Sequence, residues 1–436
     1  MYDLKIINAT IVDGTGAPSY QGELGVTDGR ITAIGQAPDD AKHIIDAQGL
    51  VLSPGFVDVH THYDAQVFWD KTVSPSCYHG VTTIFGGHCG FSIAPLSSDA
   101  APYLLNMLAR VEGMPVASLQ EGVPWDWTSF AEYLEKLDGN LGVNAGFMAG
   151  HSAIRRVVMG DRAVGHQATP EEISAMQTLL ANSLEEGAMG FSSTVAVTHN
   201  DADGQPVPSR HATKDEMIAL ASVCKDFEGT SLEFLPAVGE FSDEVIELMV
   251  ALTTSAQRPL NWNALSAGNP KVMENQLSAS DRALAAGGDI RALTIPQPIT
   301  IRINLYTGFV FDALEGWADI FKLPIDERIA LLKDPEQRRR LDESANQPGN
   351  PFRGIARWSD MKIHAAFLDK NKHLEGKTMG ELAEGTNKSP FDIMLDLAIE
   401  EGLRTFFMPK GSDTDPALWK VRAELWQDER TVIGDL

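Results

Sequence analysis

The sequence predicts an α/β protein. It reads as a TIM (β/α)8-type barrel over residues 53–436, preceded by a small N-terminal β-sandwich segment over residues 1–52. Three observations predict this. Short β-rich stretches separated by turn residues fill the first fifty positions. Eight apolar runs of strand length follow. Amphipathic helical stretches lie between several of those runs.

The N-terminal stretches are DLKIINATIVDG, ELGVTDGRITAIG and HIIDAQGLVL, with Asp-Gly pairs at 13–14 and 28–29 as hairpin signals. The eight apolar runs are GFVDVHTH (55–62), VTTIFGGHCG (81–90), VNAGFMAGH (143–151), AMGFSST (188–194), TSLEFLP (230–236), PLNWNAL (259–265), IRALTIP (290–296) and TVIGDL (431–436). Two of the helices between them carry clear end signals or a clear apolar face. TPEEISAMQTLLANSLEEG (169–187) opens on Thr169 as cap with Pro170 in the first turn and closes on Gly187. SDEVIELMVALTTSA (242–256) keeps Val245, Leu248, Met249 and Leu252 on one face. The stretch between the last two runs is long, and a helical insertion is expected at about 297–430.

Composition narrows the function classes. Apolar residues at 43% and charged residues at 22% suit an ordinary globular chain. The net charge of −25, from 60 acids against 35 bases, argues against nucleic acid and against anionic membrane surfaces. Three cysteines, Cys77, Cys89 and Cys224, do not make a disulfide framework, and a cytoplasmic location is expected. The N-terminus shows no signal peptide, and no run of apolar residues is long enough for a transmembrane helix.

The chemistry concentrates in PGFVDVHTHYDAQ (54–66). Residues two apart on a strand share a face, so His60 and His62 project together from the end of the first barrel strand. The carboxyl ends of barrel strands build the active site, and two imidazoles converging there suit a divalent metal. Asp64 has the same parity and is expected among the substrate contacts, placed to orient an imidazole or to hold water. The second run ends in GHCGFSIAPL (87–96), with Cys89 at the strand's carboxyl end. A lone cysteine is most often a packing residue. Beside an HxH strand the ligand reading prevails, as a thiolate able to hold zinc or bridge two ions. His88, of opposite parity, is expected behind the ligands or in packing.

HTHYD, HGVTTIFGGHCGFSIAPL, AGHSAIRRVVMG (149–160) and GAMGFSST (187–194) together resemble the amidohydrolase superfamily, in its N-acyl-D-amino-acid deacylase (D-aminoacylase) branch. The resemblance runs from the N-terminal segment through the fourth strand with high specificity and continues loosely beyond it. It implies a barrel flanked by a β-sandwich that both chain ends share. It implies one or two zinc ions held at His60, His62 and Cys89, the cysteine in a bridging place. It further implies attack of an activated water on the amide carbonyl of a small-molecule substrate, with an aspartate at the eighth strand carrying the proton.

Two departures stand out. The family's deacylases place histidines at the ends of the fifth and sixth strands. Among the eleven histidines here none falls in 212–363, and Glu233, Asn261 and Asn263 are the polar side chains that remain there to reach a metal. The sequence also ends at TVIGDL, where the family continues into its catalytic aspartate; Asp435 is a weak stand-in. A barrel incomplete at its C-terminus is therefore expected, with a missing C-terminal segment or a companion chain supplying the rest.

The remaining candidates are substrate contacts. His151 closes the third run, and Arg155 one turn later suits a substrate carboxylate. His199 sits in a Gly/Pro-rich loop after the fourth run, where specificity loops lie. Trp125, Trp127, Trp262 and Trp358 are placed either in an acyl pocket or in packing. Asn200, Asp201 and Asp203 resemble a cation loop only superficially. The leading expectation is metal-dependent hydrolysis of a non-peptide carbon–nitrogen bond. The alternatives are a catalytically silent or split barrel that binds a ligand or a companion chain, and hydrolysis of a cyclic amide or an ester on the same scaffold.

Overall fold

The structure is a computed structural model that describes residues 1–237, 239–263, 265–296, 301–308, 310–348, 353–409 and 416–434. Asp435 and Leu436 lie outside the described residues, as does Ala264 of the sixth run. The chain divides into two compact units, Met1–Val57 with Pro75–Thr83, and Asp58–Ser74 with Ile84–Leu436.

The first unit holds a mixed sheet of β1 (Tyr2–Ile11), β2 (Tyr20–Thr27), β3 (Arg30–Gly35), β4 (Ala41–Asp46) and β5 (Val51–Leu52), in the order β3-β2-β1-β4 with β5 also on β1. The Asp28-Gly29 pair makes a two-residue hairpin turn between Thr27 and Arg30, with both residues at positive φ (51° and 70°). The pair at 13–14 belongs instead to a longer connection, in which the Asp13 carboxylate accepts the N–H and the hydroxyl of Thr15 at 3.0 and 2.7 Å.

All eight apolar runs carry strands: β6 (Phe56–Asp58), β7 (Val81–Gly86), β8 (Asn144–Phe147) with its continuation β9 (Ala149–Gly150), β10 (Gly190–Thr194), β11 (Ser231–Leu235), β12 (Leu260–Trp262), β13 (Ile290–Thr294) and, after two strands of the insertion, Thr431–Ile433. The unit boundary falls within β6 and β7. From β9 to β13 each strand pairs parallel with the next, and Thr431–Ile433 pairs parallel with β13. The Met148 N–H donates to the Gly86 carbonyl, and the Met189 N–H to that of Phe147, so the strand succession is continuous from β7 to β10. Beyond the last strand, Gly434 packs so close to Val59 that a Cβ there would stand 2.7 Å from its Cγ2. The end of the strand series thus meets the residue that follows its first strand.

The helices between these strands start where the sequence marks them. Thr169 and Glu172 form a reciprocal capping box at the start of Pro170–Glu185. Ser242 caps Asp243–Ala256, whose buried face carries Ile246, Leu248, Met249 and Leu252; Ile246 takes the place expected for Val245. Between β13 and Thr431–Ile433 the chain builds an apolar cluster around Phe311, Trp317, Trp358 and Phe391. It carries an antiparallel pair, β14 (Lys362–Ala365) and β15 (Phe406–Met408); Thr431–Ile433 is thus β16. Trp358 belongs to this packing, its indole N–H donating to Asp342 at 2.6 Å. Trp262 and Trp127 are likewise buried, at 0% and 2% exposure. No helix of the described residues is long and apolar enough to cross a membrane.

Candidate metal centre

Two short segments carry the centre. The first follows β6: the Thr61 N–H and hydroxyl both donate to the Phe85 carbonyl, at 2.9 and 2.7 Å, which anchors the chain between the two histidines. His60 is buried at 2% exposure and His62 is half-buried, and their ring centroids lie 5.2 Å apart in an edge arrangement. The second segment is the turn after β7. Gly87, Cys89 and Gly90 all sit at positive φ (76°, 54° and 76°), a path that two of the three residues take readily because they lack a Cβ.

Three side chains from three places in the chain hold this turn. Asp64 accepts the Gly87 N–H at 2.9 Å. The Ser192 hydroxyl accepts the Gly90 N–H at 3.0 Å and donates to the Gly87 carbonyl. Glu233 accepts the Cys89 N–H at 2.6 Å. Of these three side chains Glu233 also meets the thiol, its Oε1 standing 3.9 Å from Cys89 Sγ. Cys89 Sγ stands 3.7 Å from His60 Nε2.

His60, His62 and Cys89 are the group of three among the described residues whose donor atoms all lie within 4.8 Å of one another. Two donors on one tetrahedral zinc, with bonds of ~2.05 Å to nitrogen and ~2.3 Å to sulfur, stand about 3.6 Å apart. The His60–Cys89 separation matches that edge. A buried atom nearby, Asn263 Oδ1, has no hydrogen-bond partner among the described residues. Donor types and spacing therefore fit a divalent cation.

The electrostatics keep the imidazoles neutral, as ligation requires. Burial drives His60 well below its ordinary value, helped by repulsion from His88, His62 and His199. Burial likewise lowers His62 to about 4, and His88 and His199 to about 3. Burial raises Asp64 to about 6, against the pull of the Gly87 N–H and His62.

The four expected substrate contacts fall in different surroundings. Asp64 is buried at 1% and engaged with the turn, and its carbonyl accepts the Tyr133 hydroxyl at 3.0 Å. His199 stacks obliquely on Phe91 at 4.7 Å, and Phe91 lies 6.1 Å from His62; its Nδ1 is 3.0 Å from the Thr194 hydroxyl. His151 is fully buried, with Nδ1 2.8 Å from Ser193 Oγ and Nε2 3.0 Å from Glu216 Oε1. Arg155 is also fully buried. Its guanidinium pairs with the same Glu216 oxygen and donates to the His166 carbonyl at 2.7 Å. His88 packs on His60 at 4.3 Å, with Nδ1 3.3 Å from the Thr61 carbonyl. Asp201 is a turn-former: its carboxylate accepts the N–H groups of Asp203 and Gln205 at 3.0 and 2.9 Å and the Tyr103 hydroxyl at 3.0 Å.

Three residues of the site escape a reading of the sequence. Glu112, just after the helix Ala101–Val111, brings Oε1 to 3.6 Å from His62 Nδ1, and burial pushes its carboxyl up to about 8. Nothing local marks it. Ser192 and Glu216 carry one weak signal each, a polar residue inside an apolar run and an acid in the first turn of a helix.

The profile of a family described as the Amidohydrolase family matches residues 43–337. A D-aminoacylase of Alcaligenes xylosoxydans xylosoxydans is 36% identical over 221 residues, which cover 50% of this chain and 41% of that protein. An N-acyl-D-aspartate deacylase of the same organism is 35% identical over 229 residues, or 52% of this chain and 41% of that protein. The match thus spans about two fifths of each of these relatives. Among solved structures, an N-acyl-D-glutamate deacylase from Bordetella bronchiseptica, complexed with zinc and a phosphonate inhibitor, superposes with a TM-score of 0.62 at 22% identity. That superposition covers 99% of this chain and 75% of the other, and it shows the shared fold.

Proposed function

Since the chain belongs to the amidohydrolase family, we propose that it hydrolyses the amide bond of an N-acyl amino acid, using a divalent cation of the zinc class held by His60, His62 and Cys89. The observation that carries this reading is the convergence of two imidazoles and one sulfur within 4.8 Å at the ends of the first two barrel strands. Such a cation, when bound, supplies Lewis acidity to a carbonyl and to water. The chain's own residues supply the rest. Asp64, Ser192 and Glu233 fix the turn that carries Cys89, so that ligand is preorganised and not recruited.

His199, beside Phe91, is the substrate-facing member of the expected contacts. His151 and Arg155 support the wall behind it through Glu216. The D-aminoacylase and the N-acyl-D-aspartate deacylase, each matched over about half of the chain, support an N-acyl-D-amino acid as the substrate class. A ligand thiol is best preserved in a reducing compartment, which supports a cytoplasmic location.

The test is metal content and turnover on a panel of N-acetylated D- and L-amino acids. The chain as isolated is expected to carry zinc and to release acetate, and His60→Ala is expected to lose both. A His60→Ala protein that keeps full activity sinks the proposal.

A further inference from the structure

Register places Glu233 beside the cluster. Ser192 pairs with Glu233 across β10 and β11, and Glu233 pairs with Asn261 across β11 and β12. Residues paired in parallel strands share a face of the sheet. Ser192 touches the Gly87–Gly90 turn, so Glu233 faces that turn too, and Asn263, two residues past Asn261, follows the same parity. Glu233 is 1% exposed. Its Oε2 holds the Cys89 N–H, and its Oε1 stands 3.9 Å from Cys89 Sγ. The Asn263 amide lies 3.3 Å from His60 Nε2 through Nδ2, while its buried Oδ1 has no hydrogen-bond partner among the described residues.

These separations have the size of coordination edges. Donors on one tetrahedral ion of this class stand about 3.3–3.7 Å apart. The 3.3 Å of Asn263–His60 and the 3.7 Å of His60–Cys89 fall on that scale, and the 3.9 Å of Cys89–Glu233 is slightly wider. A half-turn of the Asn263 amide exchanges its nitrogen for oxygen at that position. Charge points the same way. A thiolate and a carboxylate together carry two negative charges, which a divalent cation balances, and buried charge demands such balance.

We propose that Glu233 is itself a ligand of the ion, through Oε1, alongside His60, His62 and Cys89, with the Asn263 amide oxygen facing the same ion. The inference rests on the reading of His60, His62 and Cys89 as a metal centre. One carboxylate then has two duties. One oxygen holds the backbone of the cysteine ligand, and the other joins that cysteine on the metal. The donor set is two nitrogens, one sulfur and one carboxylate oxygen, which suits zinc or cobalt, and expansion to five coordinates would leave a position for water or substrate beside the Asn263 oxygen.

Cobalt(II) titration of the full chain tests both levels. The wild-type protein is expected to bind cobalt stoichiometrically and to show a sulfur-to-cobalt charge-transfer band that Cys89→Ser removes. Absence of binding and band defeats the metal reading itself. With the band present, Glu233→Gln addresses the further inference. Glutamine keeps an oxygen for the Cys89 N–H and loses the charge. Cobalt affinity is expected to fall about 100-fold and the visible ligand-field bands to change; unchanged affinity and bands overturn the proposal. Should the variant fail to fold, a crystal structure of the cobalt-loaded wild-type chain decides. Oε1 within ~2.2 Å of the ion is expected, and a separation beyond about 3 Å overturns it.

Discussion

Gly87 lies against the backbone of Met148 so closely that a Cβ on it would stand 2.3 Å from the Met148 carbonyl oxygen. Its φ of 76° is left-handed as well. Both facts come from one requirement: the turn that presents Cys89 has to bend sharply where β8 passes into β9.

Gly87→Ala is therefore expected to be among the more damaging single substitutions in the turn. The left-handed conformation alone costs ~1–2 kcal/mol with a Cβ, and the overlap with backbone adds to it. A loss of about 3 kcal/mol or more in urea denaturation is expected, together with weakened cobalt binding. A variant with the wild-type urea midpoint would show that the turn relaxes freely.

The second prediction concerns the buried group behind β10. Glu216 accepts from His151 and pairs with Arg155, and all three are fully buried. Burial raises the Glu216 carboxyl, but His151 and Arg155 outweigh it and hold the value below the usual one. Glu216→Ala strands the Arg155 cation in the interior, at a cost of about 3–5 kcal/mol. Thermal unfolding measures this, and replacing Arg155 with methionine in the same chain is expected to recover a good part of the loss. No recovery would show that the glutamate acts by packing alone.

A third expectation is acid sensitivity at Asp70. Its partial burial raises the carboxyl, but hydrogen bonds from Ser74, Thr72 and Gln66 overcome this and set it well below the ordinary range. The Ser74 hydroxyl and N–H donate at 2.6 and 2.8 Å. A depressed folded value means the charged form stabilises the fold. That contribution is full above about pH 5 and fades as pH drops below about 4. Asp70→Asn is expected to be less stable than wild type at pH 6, with the gap narrowing by pH 3.5. A gap independent of pH would falsify the linkage.

What the sequence makes legible is what repeats over a few residues. The two-residue period brings His60 and His62 to one face, and the turn residues Gly87 and Gly90 bracket Cys89. All eight strands are visible as apolar runs, because parallel strands buried within the sheet, such as β10 and β11, are rich in apolar residues. Arg155 is different. Its spacing from His151 suits a substrate clamp, yet its guanidinium meets Glu216, sixty-one residues onward.

By itself, then, the sequence determined the family, the order of the strands and the pair of histidines at the first strand's end. Strand periodicity and glycine turns are local properties of the backbone, and each is set by its immediate neighbours. Only the tertiary structure decided that Ser192, Glu233 and Asp64 converge on the Cys89 turn, that Glu112 approaches His62, and that Asn263 meets His60. Those contacts depend on the register between parallel strands far apart in the chain, and no short-range pattern in the residues specifies that register.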